Sequence, residues 1–380
     1  MGVMLVVDRR VLRILALRAL TLSFTLIIVV LITSIILTGT GYDTVILNSI
    51  IQTEIQALSQ ELRARNPPPP PEEVERVLKE RREELIRLYG LDKPVYYRVL
   101  DNFLRTLTLN LEAISDDVAQ VAGVRPPLPV GHAIAIVLPR TIIMITIAYI
   151  ISSVIAILLG PFIAYRRGSL LDKGIITYAA FTNALPIWWI AMISIFVFGF
   201  YLRVAPSSYR EVIKYVSSLG DSLTILLRGD LSAFSSILVN LRDLIYYSYL
   251  PITVVTFATL GGLIYSARAV AIRVVTEDYV VAARAKGLPE RAVLRRYIIR
   301  VIAGPILTFV ILGLAFSIGG FIITESVFDW PGMGFLFYAA ISVGDSPTVL
   351  GLVYVTTLVY VIARFVLEVI YVILDPRVRL

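Results

Sequence analysis

Six stretches of about 20 residues, nearly all apolar and nearly free of charge, constrain this chain more than any other feature. A hydrocarbon layer about 30 Å thick is crossed by about 20 helical residues, each rising about 1.5 Å. No water reaches the backbone there, so a spanning segment must satisfy its own N–H and C=O groups, which a helix does. The stretches are Ala19 to Leu37, Thr141 to Tyr165, Ile176 to Leu202, Tyr246 to Ala267, Val301 to Thr324 and Val349 to Leu374. They predict an all-α polytopic membrane protein with six transmembrane helices. Composition agrees: 57% of the 380 residues are hydrophobic and 17% charged, with a mean hydropathy of +0.82. Ordinary soluble domains carry about 25% charged residues, more than this chain does.

Lys and Arg accumulate in short cytoplasmic loops. With the N-terminus inside, the loops on that side hold 17 basic and 6 acidic residues, and Val301 to Ala363 contains no Lys or Arg. Both termini are therefore expected in the cytoplasm of a plasma or inner membrane. The basic start and first apolar run read as a retained signal anchor, because the run is long and no small-residue cleavage site follows it. Three parts result: 1–37 with the first helix, an extracytoplasmic insert at 38–137, and a five-helix core at 138–380 whose inner loop spans about 268–300. In the insert, Pro67 to Pro71 predicts a stiff spacer. Glu72, Glu73 and the apolar series Val74, Val77, Leu78, Leu85 and Leu88 then predict an amphipathic helix stopped at Gly90. Its role is open between a cap on the bundle and a docking surface.

The chain has no cysteine and one histidine, His132, read as an interfacial residue. It has no Gly-Lys dipeptide and hence no phosphate loop of the G-x-x-x-x-G-K-[ST] kind. No catalytic, metal or cofactor residue is assigned.

The most informative loop is EDYVVAARAKGLPERAVLRRYIIR, Glu277 to Arg300. Glu277 and Asp278 suit a helix N-terminus, Ala282, Ala283 and Ala285 are good helix formers, and Gly287 supplies a left-handed stop. Pro289 and Glu290 then suit the first turn of another helix. The pattern predicts helix, tight turn, helix, with surface alanines allowing close approach and Arg284, Lys286, Arg291, Arg295 and Arg296 around them. A basic loop lying on anionic lipid is the competing reading.

The string from Asp278, Tyr279 and Val280 to Ala283, Arg284, Ala285, Lys286, Gly287 and Leu288 resembles the EAA loop of dipeptide/oligopeptide permeases of ATP-binding-cassette importers. Val281 and Ala282 stand where that family has Arg-Thr. Leu88 to Pro94, Leu138 to Thr141, Pro186 to Trp189, Leu250 to Thr253, Glu325 to Gly334 and Tyr371 to Arg379 are similar to other family motifs, in the family's order. The resemblance implies a type I importer permease, non-catalytic and paired with a homologous permease. It implies two P-loop ATPase subunits that hold ATP and Mg, and an extracytoplasmic binding protein. It also implies that Glu277, Asp278, Tyr279, Ala282, Ala283, Arg284, Ala285, Lys286, Gly287, Leu288, Pro289 and Arg291 form the ATPase-coupling segment. Peptides are the expected cargo, with oligosaccharides the alternative; a gradient-driven transporter or a receptor are rivals of another class.

Thr182, Asn183 and Pro186 are candidates for the path or for helix packing. Arg364 lies about 15 Å from the inner end of the last span, at about ten residues of helical rise. Glu368 is one turn on and expected to pair with it.

Overall fold

The computed structural model describes residues 9–64, 69–111, 113–124 and 126–374. The C-terminal signature beyond 374 and the start of the proline run, 67–68, lie outside them. Helix α1 (Arg9–Ser34) continues through a π-helical turn, Ile35–Gly39. The insert follows as α2 (Tyr42–Ala64), α3 (Pro71–Leu88), α4 (Val95–Leu107) and α5 (Asp116–Ala122). The core comprises α6 (Val130–Tyr165), α7 (Leu170–Ala184), α8 (Ile187–Ser194), the hairpin α9 (Val212–Leu227) and α10 (Ala233–Tyr246), and α11 (Tyr249–Val275). It continues as α12 (Asp278–Ala285), α13 (Glu290–Val293), α14 (Ile299–Gly320), α15 (Ile322–Phe328), α16 (Met333–Val343) and α17 (Ser346–Leu374).

Five of these segments are long and apolar enough to cross a membrane: Leu12–Gly39, Val130–Tyr165, Tyr249–Val275, Glu290–Ala315 and Ser346–Ile370. A sixth crossing is made only if α7 and α8 are counted together, because they meet at 96°. The third apolar stretch, Ile176 to Leu202, is therefore a helix broken at Pro186. Pro186 has no N–H to donate and drives Leu185 out of the helical region, to φ −99° and ψ 131°.

Other boundaries move as well. The second span begins at Val130 instead of Thr141, with Pro139 inside it. Its early turns persist because Val130, Ala133, Ile134 and Val137 are buried with residues of α5, α16 and α17, and that packing outweighs one missing backbone bond. The fourth span runs past Ala267 to Val275. The amphipathic helix of the insert is α3, and Gly90 takes the left-handed conformation, φ +66°. Three further helices in the insert and the α9–α10 hairpin were not indicated by apolar runs.

The chain alternates between two ends of the bundle. The insert, the α9–α10 hairpin and α15–α16 gather at one, the insert end; Gly168, Ser169 and α12–α13 gather at the other, the elbow end. α6 and α11 form the central contact. A Cβ on Gly160 would lie 2.5 Å from that of Ala267, so glycine lets these backbones approach. On the neighbouring face, a Cβ on Gly261 would lie 2.1 Å from Thr182 Oγ1.

Candidate functional site

At the elbow end, α12 starts from Glu277, whose extended backbone (φ −70°, ψ 143°) makes it the N-cap. Asp278 then sits in the first turn, where the helix dipole favours a carboxylate. The far end closes on Gly287 at φ +76°. There Gly287 N donates to Arg284 O (2.9 Å) and Leu288 N to Ala283 O (3.3 Å), satisfying carbonyls the helix leaves open. Pro289 is the N-cap of α13, one place before the expected first turn, and its carbonyl accepts from Ala292 N and Val293 N.

One face of this elbow is fixed to the bundle. Val280, Ala283 and Val293 are buried with Ala271, Val274, Ile298 and Ile302. The expectation of surface alanines is thus corrected for Ala283, which is 3% exposed, while Ala282 and Ala285 face outward. Tyr279, Val281 (54% exposed), Lys286 and Arg291 share that outward side, and Leu288 is half-buried. Arg284 is a latch in place of a free charge. Its Nε bonds Glu290 Oε1 at 3.0 Å across the turn, and its guanidinium stacks 5.3 Å from the ring centre of Tyr165 at the end of α6.

A second feature at this end came from no hydropathy signal. Asp172, in the first turn of α7, accepts from Arg268 Nε and from Arg268 Nη2 (3.0 Å) and Gly168 N (2.8 Å). Asp172 is buried and the Arg268 side chain is 11% exposed. Ser169 caps α7 by accepting from Asp172 N at 3.3 Å, and Asp172 reaches back to Gly168 N, one residue before the cap, so Ser169-x-x-Asp172 is a variant of the capping box. That motif was the available signal.

At the insert end, a loop without cations is held by one carboxylate. Glu325 is fully buried: Oε1 accepts from Thr141 Oγ1 (2.8 Å) and Oε2 from Phe335 N (3.1 Å). Thr141 Oγ1 in turn accepts from Met333 N at 2.7 Å. The glycines of this loop follow from the same clasp, since a Cβ on Gly332 would lie 2.3 Å from Thr141 Oγ1 and 2.6 Å from Glu325 Oε2. Arg140 is also buried, and its Nη1 donates to Ala122 O (2.9 Å) and Pro331 O (3.1 Å), tying the insert to the same loop.

Burial pushes the Glu325 carboxyl from 4.5 up to about 7, against the pull of its donors. The folded chain therefore holds a proton to about pH 7 that the unfolded chain releases near 4.5. Stability should fall as pH rises between those values and then level off, by on the order of 3 kcal/mol. Thermal unfolding in detergent from pH 4.5 to 7.5 checks this: Glu325→Gln should flatten the profile, and an unchanged slope in that variant would contradict the assignment.

Among the membrane-embedded candidates, Thr182 is buried, donates to Tyr178 O (3.0 Å) and abuts Gly261, so it packs α7 on α11. Asn183 and Pro186 are exposed beside the break. Arg364 Nη2 lies 3.3 Å from Glu368 Oε1, the pairing their spacing predicts; the two side chains are 38% and 21% exposed. His132 is exposed at the start of α6.

Residues 152–380 match the family model described as binding-protein-dependent transport system inner membrane component. The chain belongs to that family. It is similar to the di/tripeptide transport system permease protein DppB of Pseudomonas aeruginosa, 31% identical over 78% of this chain and 84% of the relative. It is also similar to the oligopeptide transport system permease protein AppB of Bacillus subtilis, 28% identical over 78% of this chain and 85% of the relative. The dipeptide transport system permease protein DppB of Escherichia coli K12 is 26% identical over 79% and 86%. The chain is thus a multi-pass permease subunit of an ATP-binding-cassette importer, non-catalytic itself, that works with an ATPase and a binding protein. The candidate elbow falls within the matched region.

Proposed function

We propose that this chain is half of the translocation path of a peptide importer, paired with a homologous permease and driven through the elbow by two ATPase subunits. The observation that carries the coupling role is the division of α12: Val280 and Ala283 are anchored in the bundle, whereas Val281, Ala282 and Ala285 present small apolar side chains outward. Lys286, Arg291, Arg295 and Arg296 surround that face and are exposed. A force applied to it reaches α11 and α14 through buried contacts and α6 through the Arg284–Tyr165 stack.

The charge distribution supports an elbow end, and both termini, on the cytoplasmic side. The insert end then faces the binding protein. Peptide as cargo is supported by the names of the three relatives. Within the bundle, exposed Asn183 and Pro186 at the break suit the lining of the path, whereas Thr182 and the Arg364–Glu368 pair suit helix packing.

Purification of the tagged chain from its native membrane tests the assembly. A second permease, two P-loop ATPases and a binding protein should accompany it, and proteoliposomes of the complex should take up labelled tripeptide only with ATP inside the ATPase-facing compartment. Uptake by the chain alone, or ATP-driven uptake of oligosaccharide but not peptide, would contradict the reading.

A further inference from the structure

The bundle holds the helical hairpin of α9 and α10 only by its root. Val212, Leu244 and the half-buried Tyr215, Val216 and Leu219 pack with Leu250, Phe328 and Trp330. From Gly220 to Asp243, no described residue belongs to a hydrophobic cluster of the bundle. Both ends of the hairpin stand at a membrane boundary. The π-helical turn Ile195–Tyr201 that continues α8 ends one candidate crossing, and α11 begins the next at Tyr249. Tyr249 Oη donates to Val204 O at 2.7 Å and closes the root, where Tyr215 stacks on Tyr247 at 5.4 Å and Tyr246 meets that ring edge-on at 5.2 Å. Tyrosines gather at this depth because a ring with a hydroxyl suits the boundary between lipid and water.

The two sides of the hairpin differ. At about 100° per residue, Phe234, Leu238, Leu241 and Ile245 fall within about 60° of one another on α10, and they are 41–58% exposed. Leu223 and Leu227 continue that side on α9, and Leu227 is 88% exposed. The opposite side is a polar groove between the helices, lined by Asp221, Ser222, Ser236 and Asn240, in which Asn240 Nδ2 donates to Ser222 Oγ at 3.4 Å. Charge follows the same division. Asp243 falls on the groove side, and Asp230 is engaged at the tip by Ser232 N at 2.9 Å. Arg242 borders the apolar side and Arg228 stands at the tip, both exposed.

We propose that the α9–α10 hairpin lies on the lipid leaflet at the insert end. The side bearing Phe234 and Leu238 sinks to the boundary between headgroups and acyl chains, and the serine groove faces water. Three observations select lipid over a protein partner. The apolar side offers no donor or acceptor, whereas protein interfaces carry about one hydrogen bond per 100–200 Å². It starts at the level where the adjoining spans meet the membrane surface. Arginines border it and carboxylates do not, the division expected where long side chains reach for lipid phosphates. At the base of α9, Arg210 Nη2 donates to Gln120 O (2.7 Å) and Nη1 stands 3.7 Å from Asp329 Oδ1. A hairpin docked on lipid therefore holds α5 and the end of α15 at a fixed height over the bilayer.

Because the chain has no cysteine, Leu223→Cys, Leu238→Cys, Asp221→Cys and Ser236→Cys can each carry a single nitrobenzoxadiazole label. All four positions are exposed, so the substitutions leave the packing intact. The full chain is placed in phosphatidylcholine nanodiscs, alone and assembled with its importer partners. Emission is quenched either by a lipid nitroxide high on the acyl chain or by iodide in the water. An interfacial apolar face sinks about 5–10 Å, so labels at 223 and 238 should lose at least about half their emission to the nitroxide and be shielded from iodide. Labels at 221 and 236 should behave in the opposite way. If the two pairs respond alike to either quencher, the proposal fails. Protection of 223 and 238 from both quenchers in either preparation would also overturn it, because protein would then cover the face. The result is independent of cargo, since it reads where the hairpin sits whether or not peptide is taken up.

Discussion

Gly287→Val should lower ATP-coupled tripeptide uptake at least about tenfold while leaving membrane insertion and the yield of folded chain unchanged. The cause is confined to the backbone. Apart from its chain neighbours, no atom lies within 4 Å of a Cβ built at Gly287, so the substitution meets no obstacle from the rest of the fold. It does have to hold φ +76°, a conformation that costs an L-residue roughly 1–2 kcal/mol and a β-branched one more. On its near side the turn has little to oppose that strain with, because α12 is only eight residues long. Relief by unwinding would shift Leu288 N off Ala283 O and move Arg284 relative to Glu290, displacing the outward face. A graded series separates conformation from side-chain size: Asn, which tolerates the left-handed region, should retain most uptake, Ala less and Val least. Equal uptake in all three would mean that the shape of the turn does not govern coupling.

Asp172→Ala should destabilise the folded chain by about 3 kcal/mol, because it leaves the largely buried Arg268 guanidinium without its counter-ion. Gly168 N would lose its acceptor as well. Replacing both members, as in Asp172→Leu/Arg268→Met, should recover most of the loss, since an apolar pair of similar volume avoids the unpaired charge. Thermal unfolding in one detergent at one pH measures all three chains. A double variant no more stable than the single one would show that the pair is not what holds the start of α7 to α11.

Part of this molecule was legible before any coordinates. A left-handed stop at Gly287 follows from glycine after an alanine-rich turn, and Arg364 and Glu368 meet because four residues make about one helical turn. Pro186 marked a weak point, yet the 96° between α7 and α8 did not follow from it, since proline fixes where a helix fails and packing fixes the angle. The burial of Ala283 but not Ala282 was not readable, because two turns of helix are too short for periodicity to choose a face. Asp172 and Arg268 are 96 residues apart in sequence, and Thr141 and Glu325 are 184 apart. Contacts of that kind are created by how helices pack, which hydropathy along the chain does not report. Glu325 still left a trace: it is a carboxylate in the stretch from Val301 to Ala363, which holds no Lys or Arg to answer it, and the Gly332 and Gly334 that follow leave room for it.

The outward face of α12 can be probed without background because the chain contains no cysteine. Single variants Ala282→Cys, Ala285→Cys and Ala283→Cys, assembled with an ATPase subunit carrying one groove cysteine, are oxidised with and without ATP. Disulfide cross-links should form at 282 and 285, change in yield when nucleotide binds, and be absent at 283. Cross-linking at 283 in preference to its neighbours, or at none of the three in an importer that still transports, would contradict the elbow as the point where the ATPase acts.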